Sequence, residues 1–379
     1  MNKLRFFLPV LLVLLAINQA YALTTKAKQA ILIDAQTGTV LYEKNADQLM
    51  APSSMTKIML VYLAFEHMKR GELAWEDELP VSKLAWRKGG SRMFVEVGTK
   101  VPVSDLLRGI IVQSGNDASI VVAEHLAGNE AVFALEMTRR ANAMGATNTT
   151  FKNSTGWPDP LHQTTARDLA LITDSLIKDF PEYCNPIFSE REFTYNNISQ
   201  PNRNPLLYKK IGCDVGKTGY TEAGGYGLAA SSIDETGRRI VMVINGCKSK
   251  GERAREGEAL MRWGFRNTIT PKIFEKGQEV VNAHVWQGAE NTVSLVLQED
   301  LYITIPRRDR DKLKVEAKYL DPIPPMQAGK VVGKVVVSCE GHETIETPLV
   351  VAKEVEEAGF IERITGALSY LIFGDSYTT

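Results

Sequence analysis

Three short stretches, in a fixed order, carry side chains able to move a proton and an acyl group: Ser54-Met55-Thr56-Lys57, Ser114-Gly115-Asn116 and Lys217-Thr218-Gly219. A serine hydroxyl is a weak nucleophile until a base takes its proton, and on a helix a residue three places later shares its face. Lys57 is therefore the base within reach of Ser54. A lysine accepts a proton at neutral pH only when burial or a nearby cation depresses its pKa, and Lys217 is the candidate cation. A helix N-terminus favours negative charge developing at Ser54, and the backbone amides of Ser54 and Tyr220 are the expected pair to hold a tetrahedral oxyanion. Ser114 is expected to relay a proton between Lys57 and a leaving amine. The Asn116 amide, both donor and acceptor, would orient the lysine and the substrate backbone. Lys217 and Thr218 would offer a cation and a hydroxyl to a substrate carboxylate, from a strand edge to which an extended peptide can add. Each motif alone is weak, since Ser-x-x-Lys also marks an ordinary helix start and the two tripeptides also occur as turns; their conjunction carries the reading.

The surrounding pattern supplies elements to hold these groups. Residues 30–33 and 40–42 read as two strands joined by a turn at 34–38. Pro52 and Ser53 introduce an apolar-periodic stretch that ends near Gly71, which puts Ser54 in the first turn of a helix. Residues 104–145 are helical in pieces, interrupted by a loop at 114–116, and 168–177 form another helix. Three strands at hairpin spacing follow (214–218, 226–233, 239–245), and a helix over 252–265 closes the unit. The expected class is α+β, an antiparallel sheet covered by helices with a separate helical lobe. Beyond Thr270, strand-like runs at 280–281, 293–297, 301–305, 313–317, 331–337 and 344–351, punctuated by Pro322, Pro324, Pro325 and Gly329, read as a small all-β domain. No nucleophile with a matching base is visible there, so it reads as a spacer or binding module.

The two ends read differently from the middle. Lys3 and Arg5 precede an apolar run over 6–17, and Ala20-Tyr21-Ala22 makes a small-x-small cleavage site, so residues 1–22 read as an export signal. In the segment 359–373, Phe360, Ile361, Ile364, Leu368, Leu371 and Ile372 fall on one helical face, opposite Glu362, Arg363, Gly366 and Ser369. Such a helix can lie in a membrane surface. The expected division is 1–22 signal, 23–270 catalytic domain, 271–352 all-β domain and 353–379 amphipathic tail. A net charge of -1 and the lack of a basic run argue against nucleic acid as a partner. Cys184, Cys213, Cys247 and Cys339 have neither the spacing of a disulfide scaffold nor that of a zinc site, and the five histidines show no ligand motif, so no metal is expected. His67 and His125 read as packing or surface residues.

With these motifs in place the chain resembles the D-alanyl-D-alanine carboxypeptidases among the low-molecular-mass penicillin-binding proteins, of the two-domain, tail-anchored type. The likeness spans nearly the whole chain, through 52–57, 113–116, Ala166-Arg167-Asp168, Asn202-Arg203-Asn204, 217–219, Trp263-Gly264-Phe265-Arg266 and 348–351. It implies a penicillin-binding/β-lactamase-like domain followed by the all-β domain and the C-terminal amphipathic helix. It also implies removal of the terminal D-alanine of peptidoglycan stem peptides through an acyl-serine, inhibition by β-lactams as substrate mimics, no cofactor, and a periplasmic protein held peripherally on the inner membrane. By position it makes Ser54 nucleophile, Lys57 base, Ser114 and Asn116 the second element, and Lys217, Thr218 and Gly219 the third. Arg253 matches an arginine that helps hold the terminal carboxylate, with Arg255 as rival because a residue is inserted nearby. Arg203 and Asp168 match a supporting salt-bridge pair. Tyr220 departs from the histidine expected after Lys-Thr-Gly, but only its backbone amide is asked to do chemistry. Ser91 is expected on a loop over the site. The rivals are a β-lactamase or D,D-endopeptidase on the same motifs, and a non-catalytic wall-binding protein. No Glu-x-x-Leu-Asn stands between Asn116 and Lys217 to serve class A lactamase deacylation.

Overall fold

The computed structural model describes residues 23–373. The expected signal at 1–22 lies outside the described residues. By the grouping of its contacts the chain forms two compact units that part between Gly264 and Phe265, the turn 34–39 grouping with the second.

The first unit is built on a five-stranded sheet. Its strands are β1 (Gln29–Asp34), β2 (Val40–Lys44), β3 (Cys213–Thr221), β4 (Gly225–Ile233) and β5 (Arg239–Cys247), in the order β2-β1-β5-β4-β3. The hairpin and the three-strand meander expected from the sequence both form. β3 pairs with β4 in antiparallel register, Lys217 facing Ala229 and Gly219 facing Gly227. Because β3 is an edge, its outer hydrogen-bonding side has no partner strand among the described residues.

A 3-10 turn (Ser53–Thr56) leads into helix α1 (Lys57–Lys69). Ile58 to Phe65 are all buried, so α1 is apolar on every side rather than on one stripe. It runs through the middle of the unit against α2 (Val103–Ile111), α3 (Asn116–Ala127), α4 (Glu130–Ala143) and α5 (Ala166–Asp179). That central course has a chemical consequence: Lys57, at its first turn, is fully enclosed. Asn129 and Thr165 cap α4 and α5 through side-chain oxygens that accept the amides of Val132 and Asp168. Helix α6 (Lys250–Asn267) follows the sheet, its buried positions including Arg253, Gly257, Leu260 and Met261.

The second unit holds an antiparallel sheet of β6 (Glu279–His284), β7 (Thr292–Val296), β8 (Leu313–Tyr319), β9 (Val331–Cys339) and β10 (Ile345–Val351), ordered β6-β7-β10-β9-β8. Alternate residues such as Val293, Leu295, Val335, Val337, Leu349 and Val351 face one buried core, the period-2 pattern of a sheet with one apolar face. Helix α7 (Phe360–Phe373) ends the described chain, and Phe360, Ile361, Ile364, Leu368, Leu371 and Ile372 are all exposed on it. No single described helix is long and apolar enough to cross a membrane. All four cysteines are free thiols in the structure.

Candidate active site

The three motifs converge. Lys57 Nζ lies 3.3 Å from Ser54 Oγ, 2.8 Å from Asn116 Oδ1 and 2.6 Å from the carbonyl oxygen of Thr155. A neutral amine has two hydrogens and one lone pair. With the hydrogens donated to Asn116 and Thr155, the lone pair is left for the Ser54 hydroxyl. Burial above all, then the nearby Arg203 guanidinium, pulls the Lys57 pKa down from its ordinary value to about 7, with Asp117 and Glu130 pulling the other way. Arg203 and, more weakly, Lys88 are thus cations that act on Lys57, and its repulsion with Lys217 shows in the shift of Lys217. Lys217 is itself driven well below its ordinary value, first by burial and then by Lys57, Arg203 and Arg253.

Two non-glycine residues adopt the left-handed conformation to make this geometry. Ser53 has φ 50° and Ser114 has φ 62°. Ser53 turns the chain into the 3-10 turn that presents Ser54, and Ser114 turns it between α2 and α3 so that Asn116 opens α3. The Ser114 hydroxyl accepts a hydrogen bond from Lys217 Nζ at 2.9 Å, and Lys217 also reaches the Thr218 carbonyl at 3.1 Å. The hydrogen bond that holds the Ser114 hydroxyl is thus the one from Lys217.

Glycine is needed where backbones press on the Ser54 turn. A Cβ on Gly219 would sit 2.9 Å from the Pro52 carbonyl oxygen, and one on Gly156, at φ 79°, would sit 1.8 Å from that of Ser53. The first contact seats β3 against the 3-10 turn. The second brings Thr155 to Lys57. Ser54 lies in the opening turn of its helix, where amides have no carbonyl one turn back to bond. Tyr220 is exposed, its ring stacked on Tyr226 with centroids 4.2 Å apart.

A loop at 88–95 walls the cleft. Ser91 accepts the Asn116 amide on its carbonyl oxygen at 2.8 Å and the Arg203 guanidinium on its hydroxyl at 2.5 Å. Asn116 Nδ2 donates to Gly89 O at 2.9 Å. The buried Asp117 carboxylate accepts the amides of Met93, Phe94 and Val95, which fixes the loop from below. Arg203 and Asp168 do not form the expected salt bridge. The Asp168 carboxylate is occupied by the Asn148 amide and the Thr149 hydroxyl at the N-terminus of α5, whereas Arg203 stays on the cleft side with Ser91.

Arg253 is buried on α6, while Arg255 is exposed. The Arg253 Nε has no hydrogen-bond partner, and its guanidinium stands 5.9 Å from the Tyr226 ring centroid. Burial lowers its pKa to about 10, and Arg203 adds to the effect. Lys217, Arg203 and Arg253 therefore repel one another across a small space, an arrangement that an anion would relieve.

Sequence reasoning missed Thr155, Asp117 and His162. His162 is buried, accepts the Lys152 amide on Nδ1 at 3.1 Å and so donates from Nε2 to Thr56 Oγ1 at 2.8 Å. Burial holds its pKa down to about 4, so it is neutral and serves to fix the residue next to Lys57. His67 lies beside Glu72 at 2.8 Å and His125 is exposed, as packing and surface residues would be. Among the described residues no cluster of His, Cys, Asp or Glu could hold a metal ion.

Comparison with known families decides the assignment. The model of the D-alanyl-D-alanine carboxypeptidase family matches residues 16–248, and that of the penicillin-binding protein 5 C-terminal domain matches residues 270–357. The chain belongs to the D-alanyl-D-alanine carboxypeptidase family. The carboxypeptidase DacC of Escherichia coli is 39% identical over 349 residues, covering 89% of this chain and 86% of its own length. Among solved structures of the family, penicillin binding protein 5 from Haemophilus influenzae superposes with a TM-score of 0.81 at 36% identity, over 89% of this chain and 99% of that one. Penicillin-binding protein D2 from Listeria monocytogenes, solved in its ampicillin-bound form, matches 64% of this chain and 99% of its own at 28% identity and a TM-score of 0.59.

Proposed function

We infer that this chain is a serine-type D-alanyl-D-alanine carboxypeptidase that releases the terminal D-alanine of peptidoglycan stem pentapeptides and is acylated by penicillins. The observation that carries the reading is the Lys57 amine, buried, depressed to about 7 and hydrogen-bonded so that its lone pair faces Ser54 Oγ at 3.3 Å. Lys57 takes the Ser54 proton as Oγ attacks the penultimate carbonyl, and the amides of Ser54 and Tyr220 hold the oxyanion. Ser114 gives its hydrogen to the departing D-alanine nitrogen as the C–N bond breaks and takes in its place the proton that Lys57 gained from Ser54, so that Lys57 is neutral again. Water then attacks the acyl-Ser54 with Lys57 again as base, which regenerates the hydroxyl. The substrate backbone adds to the free edge of β3, with its carboxylate toward Lys217, Thr218 and Arg253.

Incubation of purified protein with a stem pentapeptide and with a cross-linked dimer, followed by product separation, tests this directly. Release of D-alanine from the pentapeptide is expected; cleavage confined to the dimer would make the protein an endopeptidase, and no cleavage of either a wall-binding protein. Arg253→Ala is expected to lower kcat/KM about 10- to 100-fold for substrates with a free terminal carboxylate, the loss of a charge-assisted hydrogen bond. Amide-capped substrates should change little. Equal loss on both would end the carboxylate assignment, and Arg255→Ala is the matched control.

We further propose export to the periplasm, from the basic, apolar and Ala-x-Ala segments of residues 1–22, and peripheral attachment to the inner membrane by the tail. The exposed apolar side chains of α7 support an interfacial helix. Glu362 and Asp375 outweigh Arg363, so attraction to anionic lipid is missing and attachment rests on buried apolar area. Deleting residues 359–379 should give an active enzyme that remains in the supernatant, while the full-length mature protein should sediment with membranes and resist stripping by high salt. Release by salt would contradict the apolar mechanism.

A further inference from the structure

The second unit differs in character between the two ends of its sheet. β8 ends where β9 begins, Tyr319 facing Gly333, and β9 begins beside the end of β10, Val331 facing Val350. β10 ends toward the start of β7, which lies beside the end of β6, Thr292 facing His284. The loops 285–291 and 320–330 therefore leave from one end of the sheet. α7 leaves from the same end. Val355 and Met326 exchange backbone hydrogen bonds of 2.8 and 2.9 Å in antiparallel sense, so residues 356–358 run in the direction of 325–323. The Ala358 amide donates to Gln287 O at 2.9 Å, and α7 opens at Phe360.

Large apolar side chains are exposed at this end. Leu320 is 80% exposed, Ile323 69% and Val331 57%, and Trp286 and Tyr319 are exposed at the same end. Outside α7, the unit's other exposed large apolar residue among those described is Val315, on β8. Tyr319, Leu320, Ile323 and Val331 line one recess of about 650 Å³, together with Lys318, Asp321 and Lys334. The opposite end is charged: Arg307, Arg308, Arg310, Asp311 and Lys312 precede β8 and Glu340 and Glu343 follow β9, all of them exposed. A contiguous exposed apolar patch of this kind marks an interaction surface.

What meets that surface follows from α7. A helix whose apolar side chains enter a bilayer brings its own first residues to the lipid, and the chain from Val355 to Phe360 spans at most about 18 Å. The loop ends beside Val355 are thus kept near the bilayer. Leu and Ile suit acyl chains, while Trp and Tyr, apolar bodies with polar tips, suit the headgroup level. Nearby charges are matched in sign: Lys334 pairs with Glu346 at 2.7 Å, Arg363 with Glu357 at 2.6 Å and Lys353 with Glu290. We propose that this end of the second unit docks on the lipid surface, with Leu320 and Ile323 among the acyl chains and Trp286 at the headgroups. The folded β domain then holds the bilayer alongside α7. The proposal rests on the reading of α7 as an interfacial helix and adds a separate contact to it.

Co-sedimentation of the full-length mature protein with phosphatidylcholine vesicles tests it. Replacing both loop residues, Leu320→Ser with Ile323→Ser, should lower the partition coefficient about 10- to 100-fold, the effect of withdrawing two partly inserted aliphatic side chains. Both residues are exposed, so the variant should fold, and unchanged penicillin labelling checks that it has. A polarity-sensitive fluorophore on Ile323→Cys should shift to the blue when vesicles are added, and one on Glu343→Cys, at the charged end, should not. Wild type carried through the same labelling gives the background from Cys213, the thiol that is not buried. A tail variant, Leu368→Ser with Leu371→Ser, separates the two contacts. The proposal is overturned, with the tail reading intact, if the loop variant binds as wild type does or if the probe at position 323 stays in water. If the tail variant binds as wild type does while the loop variant does not, the tail reading has failed and the docking surface is supported. A full-length protein that binds no vesicles overturns both.

Discussion

Ser54→Ala should abolish both covalent labelling by a fluorescent penicillin and release of D-alanine, leaving no turnover above the variant's background. The expectation follows from placement. Ser54 is half-buried at the opening of its 3-10 turn, next to a lysine whose pKa is lowered to about 7, and Gly219 and Gly156 pack closely on the backbone of that turn. The β-lactam carbonyl would meet the same nucleophile and the same two amides as the peptide carbonyl. Mass spectrometry of the digested, labelled protein should place the adduct on the peptide that contains Ser54. An adduct elsewhere, or undiminished hydrolysis by the variant, would refute the assignment.

The second large effect is expected at Lys57. Removing a general base lowers the rate by about 10²–10⁴-fold, so Lys57→Ala should slow acylation by that factor with far less effect on ligand affinity. The sign of the pH dependence follows from the direction of the shift. The amine works when neutral, and its pKa is lowered to about 7, so kcat/KM should rise through neutrality and level off above it. Lys57→Arg retains a cation that stays protonated at every accessible pH, and should therefore lose the rate as completely as alanine does. An unchanged acidic limb in either variant would show that another group supplies the base.

Much of this site could be read from residue types. Ser54, Lys57, Ser114, Asn116 and Lys217 carry functional groups whose chemistry and order suggested their roles, and the structure hydrogen-bonds Lys57 to Ser54 and Asn116, and Lys217 to Ser114. The hairpin, the broken helical lobe and the three-strand meander were equally legible, because strand alternation and glycine-marked turns are local signals. What stayed hidden depends on backbone atoms and on tertiary packing. The third partner of the Lys57 amine is the carbonyl oxygen of Thr155, and every residue has a carbonyl. Asp117 stands directly beside a motif, but its partners are amides more than twenty residues away in sequence. The Arg203–Asp168 pair fails for a related reason. Positional likeness gave the two residues and could not show that the Asp168 carboxylate already receives two donors at the start of α5. The complete burial of α1 was also beyond a periodicity argument, which supplies one apolar face and has no means of counting the helices that cover the others.

The left-handed serines have a bearing on how far this protein can be made robust. A non-glycine residue in that conformation costs on the order of 1–3 kcal/mol, and Ser53 and Ser114 both adopt it within the cleft. Folding would gain from glycine at either place. At position 114 that exchange would remove the hydroxyl that accepts from Lys217, and at position 53 the one hydrogen-bonded to Thr221 at 3.0 Å. The cleft is thus a place where thermal endurance and turnover are in competition, and a hardier version of this chain should be sought by changing residues remote from it.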